Sequence, residues 1–323
     1  MRIKGIFETY SGGKQLWLLL CFLLGGTLLA EFCTTGIHWI GGCISNEWTT
    51  GTGYLRTIQG LSALCTFLLP AIAMGYCCSP NLTDYLSLRR VNNPLAWPLT
   101  AAGMVLLAPL INLLSLWNQS LHLPAALAPV EQTMRQWEEL AEQLTQTLLS
   151  SDRIDILLAN LFVVAILAAL TEECFFRGTL QRILSRFHAK PHVVIWTAAI
   201  LFSAFHLQFY GFFPRMLLGA YFGYLLLWSH SIWLPIFAHF INNAIAVITL
   251  SNDALQENYY LTGEIPANEL LPYSLFALLS TGLFIGINHL LRRQHNDFLR
   301  NTKSLPRYFS RTISLAASSS AVP

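Results

Sequence analysis

A chain of 323 residues in which 54% are hydrophobic and only 11% charged, with a mean hydropathy of +0.49, is too apolar for a soluble globular protein of ordinary composition. It reads as an all-α fold, a polytopic membrane helix bundle. A formal net charge of +2 gives no electrostatic footprint for a nucleic-acid partner. Seven cysteines, scattered mostly through apolar segments without a C-x-x-C pair, support neither a disulfide framework nor a zinc knuckle.

In chain order, the polar and basic residues 1–15 lead into the apolar run 16–30. That run lacks a small-residue cleavage site and continues to residue 44, so it reads as a first span and not as a signal peptide. Runs of spanning length follow at 59–78, 97–117, 154–175, 193–206, 215–228, 232–250 and 271–291, making about eight transmembrane helices. The fifth and sixth are short and interrupted by polar or glycine residues. The regions are then a three-span N-terminal part (1–117), an outer loop with a surface helix (118–152), a core (153–250), a loop with the last span (251–291) and a disordered basic cytoplasmic tail (292–323).

Within 118–152, Val130, Met134, Trp137, Ala141, Leu144 and Leu148 recur at three- and four-residue steps. Glu131, Arg135, Glu138, Glu142 and Gln146 fill the other face, which predicts an amphipathic helix lying on the outer membrane surface or against the bundle. A gate over a substrate entry is the sharper alternative. Sorting Lys and Arg onto alternating sides puts fifteen inside and only Arg56, Arg135, Arg153 and Arg215 outside. Both termini are therefore expected in the cytoplasm.

The chemistry concentrates in three places in the second half. Glu172 and Glu173 end the run from Ile154 to Leu170, and a carboxylate at that depth costs several kcal/mol unless paired or hydrated, roughly 2.5 kcal/mol or more on insertion scales. Glu173 and Arg177 lie four apart on one helical face, suited to an ion pair, while Glu172 points about 100° away. His206 ends the fifth span with Phe202 on its face, and His239 shares a face with Asn243 in the seventh. Two carboxylates, two imidazoles and an amide on three helices can converge in one polar pocket. A buried Glu suits a general base, and His and Asn donors suit an oxyanion, so the set fits amide hydrolysis without a covalent intermediate. The remaining histidines, His38, His122, His188, His192, His230, His289 and His295, show no partner spacing and are expected at the surface or interface. On the run boundaries, Glu172 and His239 sit toward the cytoplasmic side whereas His206 falls nearer the outer half.

The pattern E-E-x-x-x-R, then F-x-x-x-H, then H-x-x-x-N, each on its own helix and with Phe176-Arg177-Gly178 following the Glu pair, resembles the CAAX-protease and bacteriocin-processing (Abi) family of intramembrane glutamate proteases. The resemblance covers roughly residues 154–250. It implies that Glu172 activates water with His206, that His239 and Asn243 form the oxyanion hole, and that Glu173 and Arg177 support the site. It also implies a peptide or protein substrate at the membrane, the lipid bilayer as surroundings, no cofactor, and, from the compact Glu-Glu-x-x-Phe-Arg-Gly version, a bacterial inner membrane. Two alternatives stand beside it. In one, Glu172, His206 and His239 ligate Zn²⁺, although no H-E-x-x-H helix is present. In the other, the chain is a noncatalytic transporter or immunity scaffold whose buried carboxylates relay protons.

Overall fold

A computed structural model describes residues 4–44, 49, 51–151 and 153–301. Among the described residues every regular element is helical. In chain order the long helices are α1 (Gly12–Ile44), α2 (Thr52–Cys78), α3 (Ala96–Gln119), α4 (Ala128–Leu149), α5 (Ile154–Leu184), α6 (Pro191–Ala204), α7 (Phe212–Ser229), α8 (Trp233–Leu250) and α9 (Leu270–Asn301). Six segments, those of α1, α2, α3, α5, α8 and α9, are long and apolar enough to cross a membrane. The two runs expected to be short are α6 and α7. At 14 residues, α6 is only about 21 Å long, short of a hydrocarbon core of about 30 Å. The last helix continues to Asn301, so the segment expected to be a tail from 292 begins as helix, and 302–323 lie outside the described residues.

The bundle is apolar outside as well as inside. Phe32 on α1 is 78% exposed and Leu279 on α9 is 71% exposed; such surface is stable where the solvent is lipid. α1 lies against α2, and Gly26 permits the close approach, because a Cβ there would collide with the Cys65 carbonyl. Cys65 lies in a π-turn, Leu64–Leu68, directly before Pro70, whose missing N–H breaks the regular ladder. α3 runs along α9, where Ser280 Oγ donates to the Leu106 carbonyl at 2.8 Å, and also touches α7 and α8. The third span thus packs chiefly on the last helix and on the core.

The segment expected to be amphipathic is helical as α4, with its apolar face divided. Leu148 and Leu149 are buried, and Met134 and Ala141 are partly covered, whereas Val130, Trp137, Leu140 and Leu144 stay about half exposed or more. Its C-terminal end is pinned by Arg56 of α2, which donates from Nη2 to the Leu148 carbonyl at 3.1 Å and from Nε to Asn160 Oδ1 of α5 at 2.6 Å. Asn160 Nδ2 closes the triangle on the same carbonyl at 2.9 Å. Its N-terminal end is tied by Glu131, which accepts from Arg135 at 2.8 Å and from the Leu123 N–H at 2.8 Å. The Arg135 hydrogen bond holds the Glu131 carboxyl down at about 2.

Candidate active site

α5 carries the Glu pair between two wide turns. Leu161–Leu167 and Cys174–Leu180 are π-helical and flank the α-helical turn Ala168–Glu173. π-turns are rare and gather at functional sites; nothing in the sequence pattern marked these two. In the first, the Ala168 N–H goes to the Val163 and Ala165 carbonyls. The Val164 carbonyl accepts instead from Asn243 Nδ2 of α8 at 3.0 Å. In the second, Thr179 Oγ1 donates five residues back to the Cys174 carbonyl.

Glu173 is completely buried and holds two elements at once. Its Oε1 accepts from Arg177 Nη1 at 2.9 Å and from His239 Nδ1 at 2.8 Å. Arg177, 1% exposed, also donates from Nη2 to the Gly219 carbonyl of α7 at 3.0 Å and lies 4.3 Å from the Phe202 ring centroid. Gly219 is what lets the guanidinium in, since a Cβ there would meet Phe202 at 2.9 Å and Arg177 Nη2 at 3.0 Å. The ion pair expected from the four-residue spacing is therefore present, and it ties α5, α7 and α8 together. His239 is stacked on Phe222, with ring centroids 5.1 Å apart and planes at 19°.

Glu172, His206 and His239 meet. Glu172 Oε2 lies 3.9 Å from His206 Nε2 and 4.0 Å from His239 Nε2. Both separations are too long for a direct hydrogen bond and fit a small group shared between the three. Each imidazole is fixed by its other nitrogen: His206 Nδ1 donates to the Phe202 carbonyl at 2.9 Å, and His239 Nδ1 donates to Glu173. Glu172 Oε2 is buried without a hydrogen-bond partner. The His206 side chain is 31% exposed against 7% for His239, so the cluster opens on the His206 side.

The depth mismatch expected from the run boundaries is corrected by the real helix ends. α5 does not stop near Phe175 but runs to Leu184, which leaves Glu172 about 18 Å from that end at 1.5 Å per residue. α6 starts across a short turn at Pro191 and brings His206 to a similar height, about 22 Å up. α8 begins deeper, where Ile232 meets Gly178, whose Cβ would lie 3.1 Å from it. Six residues back from Gly178 and seven on from Ile232 reach Glu172 and His239.

Asn243, one turn beyond His239, spends one amide hydrogen on the Val164 carbonyl and accepts from Asn242 Nδ2 at 3.2 Å. Among the described residues no three His, Cys, Asp or Glu side chains, Glu172, His206 and His239 included, are grouped as a metal-holding set. All seven cysteines are free thiols. Three of the histidines that lacked partner spacing do have polar neighbours distant in sequence: His38 with the Tyr54 hydroxyl, His192 with that of Tyr224 and His122 with Glu131.

Fold and site together define a polytopic helical membrane protein with a buried carboxylate facing two oriented imidazoles. Residues 154–245 match the family model described as "Type II CAAX prenyl endopeptidase Rce1-like", in agreement with the resemblance of the motifs in this stretch. The uncharacterized protein YpbD of Bacillus subtilis (strain 168) is 28% identical over 90 residues, which cover 27% of this chain and 43% of that one. The matched stretch thus spans less than half of that relative. No solved structure matches.

Proposed function

We propose that the chain is an intramembrane endopeptidase of the CAAX-protease type, acting on a peptide or protein substrate that reaches it at the bilayer. The observation that carries this reading is the common focus of His206 Nε2 and His239 Nε2 on Glu172 Oε2, at 3.9 and 4.0 Å. Glu172 takes a proton from water as the water oxygen attacks the scissile carbonyl. The Nε2 lone pair of His206 accepts the second water hydrogen and so aims the oxygen. The carbonyl electrons move onto its oxygen, where His239 and the free amide hydrogen of Asn243 donate to it. Donation from His239 Nε2 requires a doubly protonated ring, and the Glu173 carboxylate on Nδ1 is the counter-charge for that state. As the oxyanion electrons return to re-form the carbonyl the C–N bond breaks, and the proton on Glu172 passes to the departing amine nitrogen.

The reading includes a multi-pass position in a bacterial inner membrane, and the distribution of Lys and Arg supports placing both termini in the cytoplasm. Comparing the membrane peptidome of cells carrying the intact protein with that of cells carrying Glu172→Gln tests it. An uncut precursor should accumulate with the variant. Identical peptidomes at equal protein levels would refute the hydrolytic role.

A further inference from the structure

Arg215 stands in the first turn of α7, nine residues beyond His206 and at the far end of the loop that follows it. Most other arginines of the described chain have visible employment. Arg89, Arg135, Arg153 and Arg177 each pair with a carboxylate, and Arg56 divides its donors among Asn160, Thr52 and the Leu148 carbonyl. Arg215 differs. Its hydrogen bonds go to a single residue: Nη2 donates to Gln208 Oε1 at 2.8 Å and Nη1 to the Gln208 carbonyl at 3.5 Å. No carboxylate among the described residues lies within ion-pair distance of it. A guanidinium has five N–H donors, so most of its capacity is unspent. None of its nitrogens is buried without a partner, and the side chain is only partly covered.

The surroundings give the unspent charge a direction. Arg215 stands one turn before Gly219, whose Cβ would meet Phe202 at 2.9 Å, and His206 stands one turn beyond Phe202, so guanidinium and imidazole rise from the same contact between α6 and α7. Glu138 of α4 accepts from the Tyr210 N–H, 3.3 Å from its Oε2, and is not within ion-pair distance of Arg215. The loop backbone passes close to the guanidinium at Gly211, where a Cβ would lie 3.0 Å from Nη2. Gln208, two residues beyond the partly exposed His206, therefore holds the fork in place without neutralising it. A partly desolvated, oriented and unpaired guanidinium is the standard receptor for a carboxylate, which it binds through two parallel charge-assisted hydrogen bonds.

We propose that Arg215 binds a carboxylate of the substrate, placing it a few residues from the bond that Glu172 attacks. The carboxylate comes from the peptide's free C-terminus or from an Asp or Glu side chain. The proposal rests on the endopeptidase reading for its setting, and it adds a substrate class: peptides that carry a negative charge near the cut. Arg215 is a specificity residue and takes no part in bond breaking.

The test uses the full-length protein in lipid nanodiscs and N-palmitoylated octapeptide pools in four forms: free C-terminal acid or C-terminal amide, each with Glu or with Gln inside the sequence. Binding is measured on Glu172→Gln, and cleavage on the parent. The proposal expects Glu172→Gln to bind one carboxylate-bearing form about tenfold to a hundredfold more tightly than its neutral counterpart. The acid–amide and Glu–Gln comparisons tell the two sources apart. Adding Arg215→Gln should bring that ratio to about one, and Arg215→Lys, which keeps the charge but not the fork, should retain part of it. A ratio unchanged by Arg215→Gln in protein that elutes as a folded species, equal binding of charged and neutral pools, or binding of none of the pools overturns the proposal. Charge-selective, Arg215-dependent binding without cleavage by the parent would sink the hydrolytic reading and leave this one standing.

Discussion

Removing Arg177 is the sharpest probe of how the core is held. In Arg177→Leu the Glu173 carboxylate, wholly buried, keeps only the His239 donor at 2.8 Å and loses the guanidinium at 2.9 Å. Breaking one partner of a buried ion pair costs about 3–5 kcal/mol, mostly because the other charge is stranded. The Gly219 carbonyl loses its side-chain donor as well, worth about 1 kcal/mol. The double variant Arg177→Leu/Glu173→Gln removes the stranded charge while the glutamine oxygen still accepts from His239. It should recover at least half of the loss, a coupling on the order of 2 kcal/mol. Reversible unfolding in mixed detergent micelles, followed by helical circular dichroism across the four members of the cycle, reads both quantities. An Arg177→Leu protein within about 1 kcal/mol of the parent, or a double variant no more stable than that single one, would refute the claim that this ion pair holds α5, α7 and α8 together.

Glu172→Ala and His206→Ala should each abolish cleavage while leaving expression and the unfolding midpoint close to those of the parent, because neither side chain holds a neighbouring helix; a folded variant with parental turnover would remove it from the mechanism. Activity of protein stripped of metal and assayed with a chelator is expected to equal that of untreated protein, and loss restored by Zn²⁺ would favour a metal on Glu172, His206 and His239 instead. Gly219→Ala should destabilise by about 1–3 kcal/mol through overpacking, because its Cβ meets Phe202 and Arg177; an unchanged unfolding midpoint would count against the close fit. The Arg135 hydrogen bond holds Glu131 below its ordinary range, at about 2, so the stabilisation of the N-terminal end of α4 is present above about pH 4.5 and fades as pH falls toward 2. Hydrogen exchange or proteolysis at that end should rise over this window in the parent and not in Glu131→Gln.

Much of the site was legible because its motifs are short and local. Glu173 with Arg177, Phe202 with His206 and His239 with Asn243 each lie four apart, and that spacing fixes a shared face whatever the tertiary fold. The extent of α5 was not legible. Arg177 and Gln181 look like the polar end of a span, yet both are buried, one paired with Glu173 and the other donating to the Gly223 carbonyl at 3.5 Å. A hydropathy window cannot see that a charge is cancelled one turn earlier. The π-turns left no trace either, since they depend on which carbonyls other helices can satisfy, as Asn243 does for Val164. For α4 the pattern gave the stripe but not its direction, which is decided at one end by Arg56 and Asn160.

The adjacency of the two carboxylates has a physical consequence that neither would have alone. Glu173 gives its Oε1 to one guanidinium and one imidazole, and so fixes where His239 points, while its Oε2 is buried without a hydrogen-bond partner. Glu172, rotated by about 100° on the same turn, keeps an oxygen without a hydrogen-bond partner among nitrogens that are themselves fixed from behind. In the proposed mechanism holding and reacting are thus divided between neighbours on one helical turn. A shift of the pair by one residue would leave either the Arg177 side or the His206 side without its carboxylate. The wide turns on either side of Ala168–Glu173 are where the helix adjusts its register against α8. Removing one residue from the first π-turn should therefore break the Glu173–His239 hydrogen bond before it disturbs the span as a whole, and the two can be told apart by whether cleavage is lost while the unfolding midpoint stays within a few degrees of the parent.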